Sequence, residues 1–180
     1  MIEHEYKFLL SKEQFDQVIK KANVLYSNPK KIVQVNQYYD DKYLSLNRRG
    51  ITVRIRQING KNKLEIKQHN KTKNKYVISE EFEYAICNVP KAITLPEYGR
   101  LAYKGFLTTH RSSYTVCPDV TLNIDENTYF KVVDFEVEIE FASTVKKKVE
   151  EVISSLNLET VHRTSKSERF FVHYSINNKE

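Results

Sequence analysis

Residues 51–68 read ITVRIRQINGKNKLEIKQ. Two alternating runs, Ile51–Ile58 and Lys63–Gln68, flank Asn59-Gly60. Asn-Gly readily takes the positive φ values of a two-residue hairpin turn, so the stretch predicts paired antiparallel strands. Side chains on a strand point alternately to its two faces. One face of the first run carries Ile51, Val53 and Ile55, and the other Thr52, Arg54 and Arg56. The second run sets Leu64 and Ile66 against Lys63, Glu65 and Lys67. The hairpin therefore has an apolar face and an ionisable face.

The same division continues in both directions. Glu3 to Leu10 sets Glu3, Glu5 and Lys7 against His4, Tyr6, Phe8 and Leu10. Val33–Tyr39 alternates, and Tyr76–Tyr84 sets Glu81 and Glu83 against Phe82 and Tyr84. Thr108–Val116 follows, and Val120–Asp125 puts Asn123 and Asp125 opposite Leu122 and Ile124. Phe130–Phe141 puts Asp134, Glu136, Glu138 and Glu140 opposite Phe135, Val137, Ile139 and Phe141. This makes about eight strands. Helical patterns are fewer. Ser11 with Gln14 forms a capping box that opens a helix over Ser11–Ala22. Val145–Leu156 carries apolar residues at helical spacing, and Ser167–Ile176 reads as a short last helix. Pro90–Gly105 is a less regular connection with some helical character. The short connections favour antiparallel hairpins and meanders over parallel crossovers. Without repeats or a break in composition, residues 1–180 are expected to form one domain.

Composition agrees with a packed domain. Of 180 residues, 40 % are apolar and 12 % aromatic, with only four Gly and four Pro, so neither disorder nor a linker-rich chain is expected. Apolar runs fall far short of the roughly 20 residues of a membrane span. Met1-Ile2-Glu3-His4-Glu5 lacks the pattern of a secretory signal, and two cysteines, Cys87 and Cys117, cannot staple a fold. A cytoplasmic protein with reduced thiols is the expectation. The net charge of +6 points only weakly to a polyanionic partner.

The ionisable faces are the informative feature. An antiparallel sheet with one solvated face would account for alternation alone. The polar faces, however, carry few hydroxyls and many charges, sorted by strand into acidic and basic rows. Glu136, Glu138 and Glu140 repeat about 7 Å apart on one face, which repels itself unless cations intervene. Basic rows can supply some of that charge, and a hard divalent ion suits carboxylate oxygens better. A sheet closed into a barrel with these faces inward encloses a charged tunnel, with the apolar faces outward under the helices. A metal-bound polyphosphate matches such a tunnel, because it needs both bridging cations and direct Arg or Lys partners.

The motifs in this order resemble the CYTH superfamily, the triphosphate tunnel metalloenzymes, over essentially the whole chain. The resemblance rests on Glu3-His4-Glu5-Tyr6-Lys7, Tyr38-Tyr39-Asp40, Val53-Arg54-Ile55-Arg56 and Leu64-Glu65-Ile66-Lys67. It extends through Glu81-Phe82-Glu83, His110-Arg111, Asp125 and Glu136-Val137-Glu138-Ile139-Glu140. It implies an α+β fold, a closed eight-stranded antiparallel β-barrel with flanking helices. It also implies a triphosphate-containing small molecule as substrate and Mg²⁺ or Mn²⁺ as cofactor. Family members include inorganic and thiamine triphosphatases, class IV adenylyl cyclases and fungal RNA triphosphatases.

Residue roles follow from the resemblance. Glu3 and Glu5, with two of Glu136, Glu138 and Glu140, are the expected metal ligands; two registers of the Glu-x-Glu motif remain open. Lys7, Arg54, Arg56, Lys67, Arg111 and Lys166 are the expected phosphate clamps. Tyr38 with Lys67 resembles a dyad that helps activate water, provided that burial among cations lowers the lysine pKa; Tyr38 as a packing residue is the alternative. Glu81, Glu83 and Asp125 are expected to balance the basic rows. The implied activity is metal-dependent triphosphate hydrolysis, with inorganic triphosphate as first substrate because no nucleoside pocket is evident. ATP cyclisation to cyclic AMP and non-catalytic polyphosphate binding are the alternatives. Neither nucleic acid nor membrane is an expected partner, and a homodimer is left open.

Overall fold

The computed structural model describes residues 2–26, 28–70, 76–162 and 164–178. The elements run β1 (Ile2–Leu10), α1 (Lys12–Tyr26), β2 (Lys30–Asp40), α2 (Ser45–Arg48), β3 (Ile51–Ile58), β4 (Lys61–Asn70) and β5 (Val77–Ile86). They continue with β6 (Ala92–Leu95), β7 (Gly99–Cys117), β8 (Val120–Tyr129), β9 (Val132–Phe141), α3 (Lys146–Ser155) and α4 (Lys166–Asn177).

Eight strands close a ring in the order β1-β5-β4-β3-β2-β7-β8-β9 and back to β1, all antiparallel. The α+β barrel expected from sequence is therefore present. The β3–β4 hairpin turns at Asn59 (φ 49°) and Gly60 (φ 74°), the left-handed pair that this turn requires. Closure comes from β2 pairing with the long strand β7. In that pairing β7 carries a bulge, with Tyr38 opposite Gly105 and Tyr39 opposite Tyr103, so that Lys104 is the extra residue. Gly105 has φ 137°, and a Cβ there would stand 3.0 Å from the Phe170 ring of α4.

Residues 90–105 depart from the sequence expectation. They hold no helix; β6 pairs with the start of β7 through Ala92↔Ala102 to Leu95↔Gly99. The alternation of β6 is too short to read against Pro90 and Pro96. The short helix α2 is also unforeseen. Asp40 and Asp41 build it: Leu46 and Asn47 donate their backbone N–H groups to Asp40, and Ser45 donates its own to Asp41. Carboxylates that satisfy the free N–H groups at a helix start nucleate the turn. α1 runs on to Tyr26, and α4 begins at Lys166, one residue before the expected start.

Apolar side chains pack on the outside of the barrel in two clusters. Val18 and Ala22 of α1 and Val149 and Val152 of α3 cover Phe8, Leu122, Ile124, Val137 and Ile139. Val53, Ile55 and Leu101 pack with Leu46 and partly with Ile93 and Leu95. The helices do not cover the whole outer surface, as the sequence pattern suggested. On β5, Phe82 and Tyr84 remain 47 % and 56 % exposed. A third cluster lies at one end of the barrel, where Phe170 and Phe171 of α4 pack on Tyr38, Leu107 and Tyr129. α4 thus plugs that end. No helix among the described residues is long and apolar enough to cross a membrane.

Candidate functional site

The inward faces of the strands enclose a cavity of about 490 Å³, lined among others by Glu3, Glu5, Arg54, Lys67, Arg111 and Glu138, and by Lys166 from α4. The ionisable rows of the sequence therefore point inward, and strand register decides which charges meet.

The acidic wall is built by β1, β8 and β9. Glu5 lies directly opposite Glu140, and Lys7 opposite Glu138. On the other side of β9, Asp125 is opposite Glu136. Asp125, Glu136 and Glu138 are all buried, and each can offer an oxygen within 4.8 Å of the others. Lys166 stands at their centre: its Nζ is 2.9 Å from Asp125 Oδ2 and 2.8 Å from Glu138 Oε1, and it also donates to Glu136 Oε1. Burial alone would push the Lys166 ammonium down; Glu136, Glu138 and Asp125 together hold it above its ordinary value. Burial likewise raises the Glu138 carboxyl, but Lys166, Lys7 and Arg111 outweigh it and hold it well below the usual range.

Glu140 lies nearer the opening, with 34 % of its side chain exposed. Burial and then Glu3 push its carboxyl up to about 7, Arg111 opposes this, and Glu138 and Glu5 add to the rise. A crowd of like charges of this kind takes up positive charge readily. Two carboxylate groups sharing Glu138 thus present hard oxygen donors on one wall. Their chemistry fits a divalent ion such as Mg²⁺ or Mn²⁺.

The basic wall is built by β2, β3 and β4. Arg54 Nε donates to Glu65 Oε2 at 2.7 Å, and Arg56 Nη1 lies 3.5 Å from Glu65 Oε1. Arg56 Nε donates to Asn36 Oδ1 at 2.9 Å, a neutral partner. Burial lowers the Arg56 pKa, Arg54 and Arg111 lower it further, and Glu65 and Tyr38 counter them in part. Arg56 is therefore short of negative charge inside an enclosed space. Arg111, from β7, binds the acidic wall, with Nε and Nη2 at 2.8 and 2.7 Å from the two Asp125 oxygens and Nη2 at 2.5 Å from Glu138.

Lys7 lies 2.9 Å from Glu5 and 3.5 Å from Glu138. Lys67 is held by Glu3, by Glu5 at 3.2 Å and by Glu81 at 2.7 Å. Burial would lower the Lys67 pKa, but these three carboxylates raise it, the opposite of what the dyad with Tyr38 requires. Tyr38 is buried against Phe170, at 4.6 Å between ring centroids, and its Oη has no hydrogen-bond partner. Its position is that of a packing residue at the plugged end, so the two groups do not form a hydrogen-bonded dyad. Glu83 pairs with Lys63 at 2.6 Å, both largely exposed, and sits at the rim. Asp125, expected to balance the basic rows, joins Glu136 and Glu138 as well as Arg111.

Several residues in the site were missed from sequence. Arg169 binds Asp134 Oδ2 through Nε at 2.9 Å and reaches Glu136 Oε2 through Nη2 at 2.8 Å. Its place three residues after Lys166, one helical turn on, was the available signal. Glu65 shares its face with Lys63 and Lys67 and was visible in the alternation as the acid between two cations. Asn36 and the Thr52–Ser167 hydroxyl contact at 2.7 Å had no sequence signal.

Known structures support the fold. A Hippeastrum protein classed as a candidate adenylyl cyclase, its structure reported with a dominant triphosphatase activity, is 19 % identical, with 95 % of this chain and 96 % of that chain covered and a TM-score of 0.75. A Pyrococcus furiosus protein of no stated activity is 24 % identical, covering 92 % and 98 % with a TM-score of 0.66. The mimivirus capping-enzyme triphosphatase is 9 % identical, covering 87 % and 89 % with a TM-score of 0.60. A search of curated proteins finds no match. The CYTH domain matches residues 1–171, and the chain belongs to that family.

Proposed function

We propose that the protein hydrolyses a triphosphate, inorganic triphosphate first among candidates, with the help of a divalent metal ion inside the barrel. The observation that carries this reading is one cavity lined both by the carboxylates Glu3, Glu5, Glu138 and Glu140 of β1 and β9 and by Arg54 and Arg56 of β3, with Arg56 the guanidinium less well compensated by negative charge. A linear polyanion with bridging cations is the ligand that satisfies both. Organic triphosphates share that chemistry.

Asp125, Glu136 and Glu138, with Glu5 buried beside them and Glu3 and Glu140 toward the opening, are the residues suited to hold metal. Bound metal supplies charge neutralisation on phosphate oxygens and lowers the pKa of coordinated water. The chain's own residues do the rest. Arg54 and Arg56 bind phosphate oxygens in the planar, forked fashion that guanidinium groups allow, and Arg111 joins them across the cavity. Lys7 and Lys67 add point charges on the β1 and β4 sides. Together they fix the substrate along the tunnel, so that water approaches a terminal phosphorus in line with the leaving oxygen. Barrel walls and the α4 plug limit other solvent, which strengthens each charge interaction.

The test is phosphate release from tripolyphosphate, thiamine triphosphate and ATP with Mg²⁺ or Mn²⁺ and with chelator. Metal-dependent release from at least one supports the proposal, and tripolyphosphate is expected to be turned over fastest. Cyclic AMP with pyrophosphate from ATP would assign a cyclase instead.

A further inference from the structure

Lys166 holds an unusual position for a group that binds phosphate. Its ammonium is nine-tenths or more buried and donates to three carboxylates at once, Asp125, Glu136 and Glu138. Those are the same three residues whose carboxylates lie close enough together to hold one metal ion. A divalent ion binds carboxylate oxygens at about 2.0–2.1 Å, inside the 2.9 and 2.8 Å at which Lys166 meets Asp125 and Glu138. An ammonium and a divalent ion cannot occupy that centre together.

The geometry of α4 sets Lys166 apart from the other clamps. Lys7, Arg54, Arg56, Lys67 and Arg111 sit on hydrogen-bonded barrel strands. Lys166 is the first residue of a helix anchored by other means. Ser165 and Glu168 form the capping box, and Ser167 Oγ meets Thr52 Oγ1 at 2.7 Å. Phe170 packs on Tyr38, and Arg169 binds Asp134. None of these anchors uses the Lys166 side chain. Its four-carbon stem can change rotamer while the helix stays in place.

We infer that Lys166 is an exchangeable counter-ion: its ammonium fills the carboxylate centre, yields it to an arriving metal ion, and turns toward the phosphates that the metal brings. This rests on the metal-dependent reading above and adds to it a direction of coupling. Lys166 opposes metal binding when metal arrives alone and favours it when triphosphate is present. A residue that only clamps phosphate leaves metal affinity unchanged, and one that only props up the site lowers that affinity when removed.

The experiment titrates Mn²⁺ alone into wild type, Lys166→Met and Lys166→Arg, read by calorimetry and by the loss of free-Mn²⁺ electron paramagnetic resonance signal. Lys166→Met is expected to bind Mn²⁺ about tenfold more tightly or better, and Lys166→Arg, which keeps the charge, to show no gain. With tripolyphosphate and Ca²⁺, Lys166→Met is expected to bind the polyphosphate more weakly than wild type. Near-ultraviolet circular dichroism checks that each variant is folded. Should Lys166→Met not fold, Lys166→Gln replaces it in the same titration. Equal or weaker Mn²⁺ binding by the folded neutral variant overturns the exchange and leaves the metal site standing. Absence of Mn²⁺ binding by every form, with or without tripolyphosphate, overturns the metal-dependent reading and the exchange with it.

Discussion

The two walls of the tunnel are charged to different degrees of completion. On the β8–β9 wall every carboxylate of the buried group already has a cation: Lys166 touches all three, Arg111 takes Asp125 and Glu138, and Arg169 takes Glu136. On the β2–β3 wall Arg54 and Arg56 share Glu65, Arg54 also feels the negative charge of Glu81, and the Arg56 Nε donates to an amide oxygen. The difference indicates where a new anion is stabilised most. It goes to the wall with donors to spare, while added cations must compete for the other. Buried charges left short of partners are costly, so on the proposed reading an anion beside Arg56 relieves the least compensated cation of the basic wall.

Four changes would break or sharpen that contrast. The largest effect is expected for Glu138→Gln, since Glu138 belongs to both carboxylate groups. Metal-dependent triphosphate hydrolysis should fall by about a thousandfold, as losses of transition-state charge stabilisation do, with the barrel still folded by circular dichroism. Next comes the plug that holds Lys166 and Arg169 in place. Phe170→Ala removes a fully buried ring from Tyr38 and Gly105, and should cost about 3 kcal/mol in denaturant unfolding. On the basic wall, Arg56→Ala should cut kcat/KM by about tenfold to a hundredfold. Arg56→Lys should recover only part of it, because a point charge does not replace a fork.

The smallest effect is a pH-dependent one at Glu65. Burial raises its carboxyl, but Arg54 and Arg56 outweigh burial and hold it below the usual range. A folded-state pKa below the unfolded one gives stability that is present above the ordinary carboxylate value and lost as pH falls through the folded value. Glu65→Gln should therefore lower stability by about 2 kcal/mol at pH 7, and the gap to wild type should close below about pH 4. A gap that is constant with pH would mean that the amide fails for reasons of packing rather than charge.

How much of this was legible in the sequence depends on whether a residue's role is set by its own strand. Period-two alternation put Glu3, Glu5, Arg54, Arg56, Lys67, Glu136 and Glu138 on one face each, and closing the barrel turned those faces inward. The hairpin at Asn59-Gly60 was readable because its turn chemistry is local. What failed was set between elements. The pairing of Asp125 with Glu136 and Glu138 depends on β8–β9 register, and the position of Lys166 among them on how α4 enters the barrel. Tyr38 was expected either in a dyad with Lys67 or as a packing residue, and its ring packs on Phe170 at the plugged end. The choice between registers of the Glu-x-Glu motif is likewise tertiary. Glu136 and Glu138 join Asp125, while Glu140 faces Glu3 near the opening. Residues 90–105 misled because proline and short alternation hide a strand that extends an existing one.

The division of labour between the walls is tested most directly by anomalous diffraction from crystals soaked with Mn²⁺ and a slowly hydrolysed tripolyphosphate analogue. The expected result is an anomalous Mn²⁺ peak bounded by Asp125, Glu136 and Glu138, with phosphate density against Arg54 and Arg56 and the Lys166 side chain turned off the carboxylates. Mn²⁺ outside the barrel, or phosphate density away from Arg54 and Arg56, would contradict it.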